Sequence, residues 1–270
     1  MDKVGEIKRE KVLICLFGVI GRSIRYTHDS IKTRLIDKIL EEYDTDIYVF
    51  NMDVGDILVD NVKIDKNKTK NILWKMGCSV IIEEYSQDLF DKEVQAKWGK
   101  YGGNKLRFMY SNIKHNTNGI RQLYSEYRAG TWLKINKEEY KCCVACGPDY
   151  QLLNDINMND LKESIENKNL IFTTRCNPAY GYTNGFYIGG IEGMIKLLSR
   201  YENIGEYMPV KKDYEYIVKW AVDYNKLEHK LTDMLFFKIR NNRHVARQGI
   251  MRRKIYNEEF EKCSNGLKVI

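Results

Sequence analysis

Two carboxylates lie in the stretch CCVACGPDYQLLNDIN, residues 142–157, where an apolar run ends at a glycine and a proline. Asp149 follows that run directly, and Asp155 comes six residues later. A carboxylate just past a central strand can bind a divalent cation that bridges two phosphates, because Mg²⁺ and Mn²⁺ prefer oxygen ligands. The pattern predicts Asp149 as a metal ligand, with an Asx-turn as its alternative. Asp155 is a second ligand or a loop residue.

A second stretch, FGVIGRSIR, combines glycines with arginines after the first apolar run. Glycine lets backbone N–H groups approach phosphate oxygens, and arginine binds those oxygens bidentately. Gly18, Gly21, Arg22 and Arg25 therefore indicate a phosphate-binding loop. The spacing matches neither the G-x-G-x-x-G dinucleotide motif nor a Walker loop, which requires G-K-[ST]. A plain turn with solvated arginines is the alternative.

Three further stretches have residue types that suit sugar chemistry. NPAYGYTNGFYIGG, residues 177–190, offers aromatic faces for sugar C–H groups and amides for hydroxyls, or is a glycine-rich strand entry. Glu228 can deprotonate a hydroxyl if it lies at the rim of an active site, or it is a solvated surface residue. The C-terminal basic residues, which can close over a diphosphate or form an ordinary basic surface, are Arg240, Arg243, His244, Arg247, Arg252 and Arg253.

Hydrophobic periodicity predicts the elements that must position these residues. KVLICLF is a first strand, Ile31, Leu35 and Ile39 recur at helical spacing after a cap at Asp29 or Ser30, and DIYVFN is a second strand. Strand, helix and strand within about 50 residues are typical of a right-handed βαβ unit in a mostly parallel sheet. Further strands are predicted at CSVIIEEY, KCCVAC and LIFTT, and further helices at 159–167, at 191–201 and in a long final pattern that includes LEHKLTDMLFFKI.

These elements predict an α/β fold with a mostly parallel central sheet flanked by helices. In open parallel sheets, ligands bind beyond the carboxyl ends of the strands, where the connection order reverses. Polar or glycine-rich sequence follows three predicted strands, at residues 18–25, 51–56 and 147–157. We expect these three segments to converge on one edge of the sheet.

Composition limits the class of protein. The 270 residues include 43% hydrophobic residues and 3 prolines, which favours one folded domain over the whole chain, 1–270, with halves of about 11–150 and 151–256. No run of about 18 apolar residues predicts a membrane span, and arginines interrupt the N-terminal apolar run, so we expect a cytoplasmic location. The seven cysteines are an odd number, and Cys142, Cys143 and Cys146 lie within an apolar run, which favours free core thiols. The net charge of +7 suits an anionic ligand but is too scattered for nucleic acid.

Taken together, these stretches resemble a group of predicted glycosyltransferases with a GT-A-type fold, prominent in large DNA viruses and also found in bacteria. The resemblance covers about residues 12 to 253 and is carried by CLFGVIGRSIRYTHDSI, DIYVFNMDVGD, NGIRQLYS, CGPDYQLLNDIN, GYTNGFYIGG and LEHKLTD. It implies a Rossmann-type sheet and transfer of a sugar from a UDP- or GDP-linked donor to the hydroxyl of a glycan or protein-linked acceptor. It also implies Mn²⁺ or Mg²⁺ as cofactor and, for a viral protein, the host cytoplasm as its location.

The resemblance also assigns roles to individual residues. Asp149 takes the place of the metal-binding aspartate motif, although GPDYQ keeps one acid where a full D-x-D has two. The other implied positions are Gly18, Arg22, Asn51 and Asp53 in the nucleotide pocket, Arg121 at the pyrophosphate or sugar, Asn184 at the donor sugar or acceptor, Glu228 near the acceptor, and His244 as a metal-binding histidine. If the enzyme inverts configuration, Glu228 is the first candidate for the base and Asp155 the second.

Two other classes of protein stay open. A non-enzymatic carbohydrate- or nucleic-acid-binding module would use the 19 tyrosines and the basic tail, and its binding to polyanions would depend strongly on salt. Another nucleotide-dependent α/β transferase, such as a methyltransferase, would use a glycine-rich first loop and an acid after the second strand, where Asp53 lies.

Overall fold

The computed structural model describes residues 9–59, 61–99, 113–175, 181–204, 214–240, 244–245 and 268–269. The strands are β1 Lys11–Gly18, β2 Asp44–Asp53, β3 Ser79–Ser86, β4 Cys142–Cys146, β5 Tyr150–Leu152, β6 Leu170–Thr174, β7 Phe186–Gly190, β8 Glu228–Thr232, β9 Phe236–Lys238, β10 His244–Val245 and β11 Lys268–Val269. The helices are α1 Ile24–Ile31, α2 Asp37–Leu40, α3 Lys66–Trp74, α4 Gln87–Gly99, α5 Ile113–Ile135, α6 Met158–Glu166, α7 Ile191–Leu198 and α8 Tyr214–Tyr224.

A seven-stranded sheet in the order β3-β2-β1-β4-β7-β6-β8 forms the centre of the fold. The pairs β3–β2, β2–β1, β1–β4 and β6–β8 are parallel, and β7 runs antiparallel to both β4 and β6. Six strands therefore point the same way, which confirms the predicted mostly parallel α/β fold. The smaller sheets pair β5 with β9 and β10 with β11.

The two faces of the sheet bury separate sets of helices. Along β1, Leu13, Cys15 and Phe17 pack with α4, α5, α7 and α8, while the alternating residues on the other face pack with α1, α2, α3 and α6. β4 is fully buried, as its apolar sequence on both faces predicts. These two cores hold the central strands rigidly, so the loops at their carboxyl ends lie on a fixed platform.

The first helix begins earlier than the sequence indicates. The pattern placed caps at Asp29 or Ser30, whereas α1 starts at Ile24, directly after the 3-10 turn Ile20–Arg22. Ser30 lies inside the helix, where its hydroxyl donates to the Thr27 carbonyl and accepts from the Leu152 amide. In the sequence Ser30 has the pattern of a helix N-cap, but its side chain instead bonds to a residue that is distant along the chain, Leu152. A π-helical turn, Lys32–Ile36, then joins α1 to α2.

The prediction of a helix over LEHKLTDMLFFKI, residues 227–239, is wrong. Residues 228–232 form β8, which extends the sheet beside β6, and residues 236–238 form β9, which pairs with β5. The apolar spacing of Leu227, Leu231 and Met234 fits a helix, but the backbone groups of β6 and β5 supply partners that a local pattern does not reveal. Glu228 therefore lies on a strand.

The cysteines of the central strands are free thiols, as the sequence predicts. Cys15, Cys142, Cys143 and Cys146 are free and buried, and burial raises the pKa of Cys142 to about 12. These side chains thus serve as small apolar groups of the core. Within the part of the chain that the structure describes, no helix is both long enough and apolar enough to cross a membrane.

Candidate functional site

The carboxyl ends of β1 and β2 meet at one edge of the sheet because Gly18 pairs with Asn51. The Asn51 Oδ1 atom accepts a hydrogen bond from the Ile20 amide at 3.1 Å, and its Nδ2 atom donates to Glu84 Oε1 on β3 at 3.2 Å. One amide thereby fixes the loop after β1 to both neighbouring strands. Gly18 and Asn51, two of the predicted nucleotide-binding residues, are thus adjacent.

The loop after β1 also lies against the segment that leads into α3. A Cβ atom at Gly21 would come within 2.3 Å of Ile64 Cγ2 and 2.9 Å of Thr69 Oγ1. A side chain does not fit there, so glycine is required by the close approach of the two segments. Gly18 is favoured for a different reason. A Cβ atom there would meet no other atom within 4 Å, but the φ angle of +112° is one that residues with a side chain rarely adopt.

We predict that Gly18→Ala destabilises the protein by about 1–3 kcal/mol, since a side chain at this φ angle strains the backbone. Gly18→Asn should cost less, because asparagine tolerates positive φ angles better than alanine does. Urea unfolding of the two variants and the wild type measures both effects. An alanine variant as stable as the wild type would show that the loop relaxes without strain.

Asp53, after β2, is held by two donors. Its carboxylate accepts hydrogen bonds from Lys66 Nζ at 2.7 Å and from the Gly55 amide at 2.9 Å. Partial burial raises the pKa of Asp53, but these two hydrogen bonds and the charges of Lys66 and Lys70 together outweigh the burial and leave the pKa below its usual value. The carboxylate is therefore ionised near neutral pH and organises the loop that follows β2.

A narrow cleft lies between the loop after β1, the end of β2 and α3. Its walls include Val19, Ile64, Leu73 and Ile82 as apolar residues and Asn51 and Asp53 as polar ones. The free volume is about 20 Å³, which is room for about one water molecule. A nucleoside needs far more space, so it enters this cleft only if the walls separate.

Asp149 lies just beyond the carboxyl end of β4, with its side chain 17% exposed. Its Oδ2 atom is 3.4 Å from Nη1 of Arg240, and its backbone carbonyl accepts a hydrogen bond from the Ile239 amide at 2.7 Å. The preceding Gly147 amide donates to the Gly185 carbonyl at 2.9 Å. Asp149 is thus fixed from both sides, by the segment after β9 and by the segment before β7.

Two hydroxyls at the start of α1 complete this junction. Ser23 Oγ donates to the Ile239 carbonyl at 2.5 Å, and Thr27 Oγ1 donates to the Pro148 carbonyl at 2.6 Å. Both hydroxyls are buried. They link the loop after β1, the loop after β4 and the end of β9, so the segments at 18–25 and 147–157 converge as predicted, at least in their first residues.

Arg240 is a member of this junction that the sequence did not single out. Sequence reasoning placed it in a basic tail of six residues, with no means of choosing among them. The bonds of Ile239 select it, because they fix the backbone immediately before Arg240 beside Asp149. The signal that the sequence offered was that Arg240 directly follows the apolar run MLFFKI.

A buried polar network lies beneath the loop that precedes β7. Glu126 and Arg200, each with a fully buried side chain, form an ion pair, and Gln122 Nε2 donates to Glu126 Oε1 at 2.8 Å. Arg200 Nη2 also donates to Tyr187 Oη at 3.0 Å and to Asn184 Oδ1 at 3.2 Å. Burial raises the pKa of the Glu126 carboxyl, whereas the Arg200 guanidinium favours its charged form.

Asn184, predicted to contact the sugar or the acceptor, belongs to this network. Its residue is 6% exposed, and its Oδ1 atom accepts from Tyr187 Oη as well as from Arg200. Its backbone carbonyl accepts from Tyr150 Oη at 2.7 Å, one residue after Asp149. The side-chain oxygen therefore points inward, and Asn184 supports the Asp149 loop from below.

The two predicted arginines differ in their surroundings. Arg121 forms a two-pronged ion pair with Asp91 of α4, in which Nε lies 2.9 Å from Oδ1, and Nη1 donates to Asn118 at 3.0 Å. This arrangement fastens α5 to α4. Arg22 is half-buried at the end of the 3-10 turn that follows β1. The structure thus brings Arg22, but not Arg121, to the loop beside Asn51.

Asp155 lies away from Asp149 along α1. The Pro148 carbonyl is bound at Thr27, whereas the Ile156 amide donates to the Arg34 carbonyl. These two anchors are seven residues apart along α1 and the π-helical turn that follows it, which corresponds to about 10 Å. Asp155 is instead exposed and paired with Arg34 at 3.3 Å, so the structure does not bring the two acids together.

Glu228 lies at the amino ends of the parallel strands, whereas Asp149 lies at their carboxyl ends. Glu228 begins β8, which is parallel to β6, and so it lies at the amino end of its strand. The carboxyl end at Thr232 is four residues further along, about 13 Å away. Glu228 is exposed and accepts a hydrogen bond from Asn167 Nδ2 at 2.7 Å.

The donor atoms near Asp149 do not fit a metal site built by the protein. In the described ranges, no group of three or more His, Cys, Asp or Glu side chains is placed to hold a metal ion. Asp149 is a single carboxylate, and a guanidinium lies beside it. For His244, the proposed further ligand, the description extends only to its backbone in β10.

His229 is a half-buried histidine on β8 that stacks on Tyr182, with 3.7 Å between the ring centroids. Its Nε2 atom lies 3.0 Å from Thr173 Oγ1. Burial, assisted by the charge of Lys219 and opposed by that of Asp223, lowers the pKa of His229 to about 4. The ring is therefore neutral in the folded protein above that pH.

We predict that His229 makes the fold sensitive to acid. Its pKa is about 6.5 in the unfolded chain and about 4 in the fold, so between these values the unfolded state binds more protons and stability falls as the pH falls. The full shift corresponds to about 3 kcal/mol, which solvent screening of this half-exposed ring reduces to about 1–2 kcal/mol. Urea unfolding at pH values on both sides of this window measures the loss. His229→Gln should show a flatter profile, and identical profiles would contradict the prediction.

No family model and no curated protein matches the chain. Similar solved structures are glycosyltransferases. Apo mouse xyloside xylosyltransferase 1 is 9% identical, with 82% of this chain and 84% of that chain covered and a TM-score of 0.44. GlyE from Streptococcus pneumoniae TIGR4 is 13% identical (83% and 45% covered, TM-score 0.39). The S. cerevisiae mannosyltransferase Ktr4p in complex with GDP is 10% identical (87% and 58% covered, TM-score 0.34). The chain spans about half the length of the last two, and at these TM-scores the likeness describes only a general similarity of the chain trace.

Proposed function

We propose that the protein is a glycosyltransferase that transfers a sugar from a nucleoside-diphosphate donor to an acceptor hydroxyl. The observation that carries the proposal is the junction at the carboxyl edge of the sheet. There Asp149 and Arg240 lie 3.4 Å apart, and the glycine-containing loop after β1 is bonded to the same backbone segment. In parallel α/β sheets, phosphate groups bind beyond the carboxyl ends of the strands, where a glycine-containing loop leads into a helix and its backbone N–H groups face the ligand.

The junction suits the chemistry of the departing group. In sugar transfer the acceptor oxygen forms a bond to the anomeric carbon, the bond from that carbon to the diphosphate oxygen breaks, and the acceptor proton passes to a base. The electron pair of the broken bond stays on the diphosphate, so negative charge develops there. Positive charge that is already positioned beside the diphosphate stabilises this transition state.

Glu228 and Asp155 receive no part in this proposal. Glu228 lies at the amino edge of the sheet, and Asp155 is paired with Arg34 on the surface. Neither carboxylate lies at the junction in the described structure. The base for an inverting reaction is therefore left without a candidate among the two acids that the sequence suggested.

Thermal-shift measurements with a panel of nucleotides test the proposed function. We expect one of UDP, GDP or TDP, or its sugar conjugate, to raise the melting temperature, because a ligand that binds only the folded state stabilises it by mass action. The matching nucleoside monophosphate should stabilise less, since it lacks the second phosphate. Stabilisation by none of these nucleotides, with or without Mn²⁺, would contradict the proposal.

The same panel separates the two rival functions. S-adenosylmethionine is included for a methyltransferase, although the carboxylate of Asp53 is already bonded to Lys66 and the Gly55 amide. Heparin at several salt concentrations is included for a polyanion-binding module. A strong response to either ligand and none to the nucleotides would favour that rival.

A further inference from the structure

The junction raises the question of which positive charge faces the diphosphate. The Asp149 carboxylate is itself negative, so it does not offset the negative charge of a diphosphate. It also provides only one ligand side chain for a bound cation. Magnesium and manganese usually complete such a site with further carboxylates or phosphate oxygens and waters. Here, in the described residues, the nearest partner recorded for the Asp149 carboxylate is a guanidinium and not a second acid.

Two hydrogen bonds fix the backbone immediately before Arg240. The Ile239 amide donates to the Asp149 carbonyl at 2.7 Å, and the Ile239 carbonyl accepts from buried Ser23 Oγ at 2.5 Å. Both polar groups of the preceding residue are therefore bonded, one to the loop after β4 and one to the start of α1. This clamp sets the position from which the Arg240 side chain extends, so its guanidinium is held beside Asp149 before any ligand binds.

The side chain of Arg240 has the chemistry that a diphosphate requires. A guanidinium has five N–H donors in a rigid plane and binds phosphate oxygens bidentately, so contact with Asp149 is compatible with contact to a phosphate. The side chain is 28% exposed and its partner 17% exposed. Such partial burial strengthens the charge interaction, and the remaining exposure leaves the group accessible to a ligand.

A second cation lies on the same segment. Lys238 pairs with Tyr150 across the two-stranded sheet, and its Nζ atom is 5.2 Å from the centroid of the Tyr150 ring. Lys238 and Arg240 are two residues apart, the spacing at which side chains of an extended chain project to the same side. Lys238 and Arg240 therefore place two positive charges close together at the end of β9.

We propose that Arg240, oriented by Asp149, takes the place of a divalent cation, so that the protein binds the diphosphate of its donor without a metal ion. This proposal rests on the proposed function and assigns the binding group within the same site. Arg240 is then the residue that contacts the diphosphate, and Asp149 is a positioning residue that holds its guanidinium. The expected ligand is a nucleoside diphosphate or its sugar conjugate.

Calorimetric titration of UDP, GDP and TDP, each in EDTA and again with excess Mn²⁺, tests this assignment. For the nucleotide that binds, we expect a dissociation constant in EDTA within about threefold of that in Mn²⁺. Arg240→Ala should weaken binding in EDTA by about 10- to 100-fold, the loss of a charge-assisted hydrogen bond. Arg240→Lys should recover part of the affinity, because it keeps the charge but not the planar fork.

Arg34→Ala is the matched control. Arg34 lies in the π-helical turn between α1 and α2, where it forms a similar surface ion pair with Asp155 at 3.3 Å. Removal of its side chain should leave nucleotide affinity unchanged. Circular dichroism of each variant checks folding, and Arg240→Lys provides the comparison if the alanine variant does not fold. Asp149→Asn should weaken binding in EDTA as well, since the guanidinium loses its orienting partner.

The outcomes separate this inference from the proposed function. Binding that occurs only with Mn²⁺, or binding in EDTA that Arg240→Ala and Arg240→Lys leave unchanged, overturns the assignment of Arg240 while the nucleotide site stands. Binding of none of the three nucleotides under either condition overturns both. Metal-free binding that depends on Arg240 supports both.

Discussion

Asp149→Asn is expected to lower kcat/KM for sugar transfer by about 100-fold or more, the effect typical of losing a preorganised electrostatic group in an active site. The substitution keeps the size of the side chain but replaces one acceptor oxygen with an NH₂ donor and removes the charge that faces Arg240. The backbone bond from Ile239 to residue 149 remains. The loss should therefore appear in catalysis and donor binding and not in folding. Hydrolysis of the donor that the nucleotide panel identifies provides the measurement.

Asp88→Asn is a suitable control for this substitution. Asp88 is an exposed aspartate of α4 that pairs with Lys92 at 2.7 Å. It makes the same kind of contact as Asp149 but lies outside the junction. An equal loss of activity in both variants, or no loss in Asp149→Asn, would mean that the charge at residue 149 has no special part in the reaction.

The largest effect on stability is expected from the buried ion pair. We predict that Glu126→Gln destabilises the fold by about 3–5 kcal/mol, because it leaves the fully buried guanidinium of Arg200 without a counter-charge. For a chain of this size, that loss corresponds to a fall in melting temperature of about 6–20 °C. Differential scanning calorimetry of the variant and the wild type gives the value directly.

A double substitution distinguishes a buried charge from lost packing. If the unpaired guanidinium is the cause, Glu126→Gln combined with Arg200→Met should be more stable than Glu126→Gln alone, since the second change removes the uncompensated charge. Additive losses would instead point to packing. Both single variants should also lower transferase activity, because the network supports the backbone of Asn184, to which Tyr150 is bonded.

The central part of the fold was predictable because its signals are local. The β1 run is apolar on both faces, and the β2 run follows one helix later, which leaves few arrangements other than a parallel pair. The convergence of the polar segments after β1, β2 and β4 follows from the same geometry. Gly18 and Asn51 could therefore be placed beside each other from sequence alone.

The sequence predictions were wrong where residues distant along the chain determine which strand a segment pairs with or which side chain a charged group binds. The spacing of Leu227, Leu231 and Met234 fits a helix, but the open edge of β6, over fifty residues earlier in the sequence, captures this segment as β8. Arg121 likewise has the charge of a phosphate ligand, and Asp91 binds it instead. Sequence shows which groups are charged, whereas the choice of partner depends on contacts that are far apart along the chain.

The bonds between Ser23, Ile239 and Asp149 have a consequence for the synthesis of the protein. The junction is complete only when residues 23, 149 and 239 meet, and more than 200 residues separate the first of these from the last along the chain. Contacts of such long range form late in folding. A nascent chain in which β1, β2 and β4 have already paired therefore lacks Arg240 beside Asp149, and the proposed diphosphate site is incomplete until the segment after β9 has been synthesised and has packed against them.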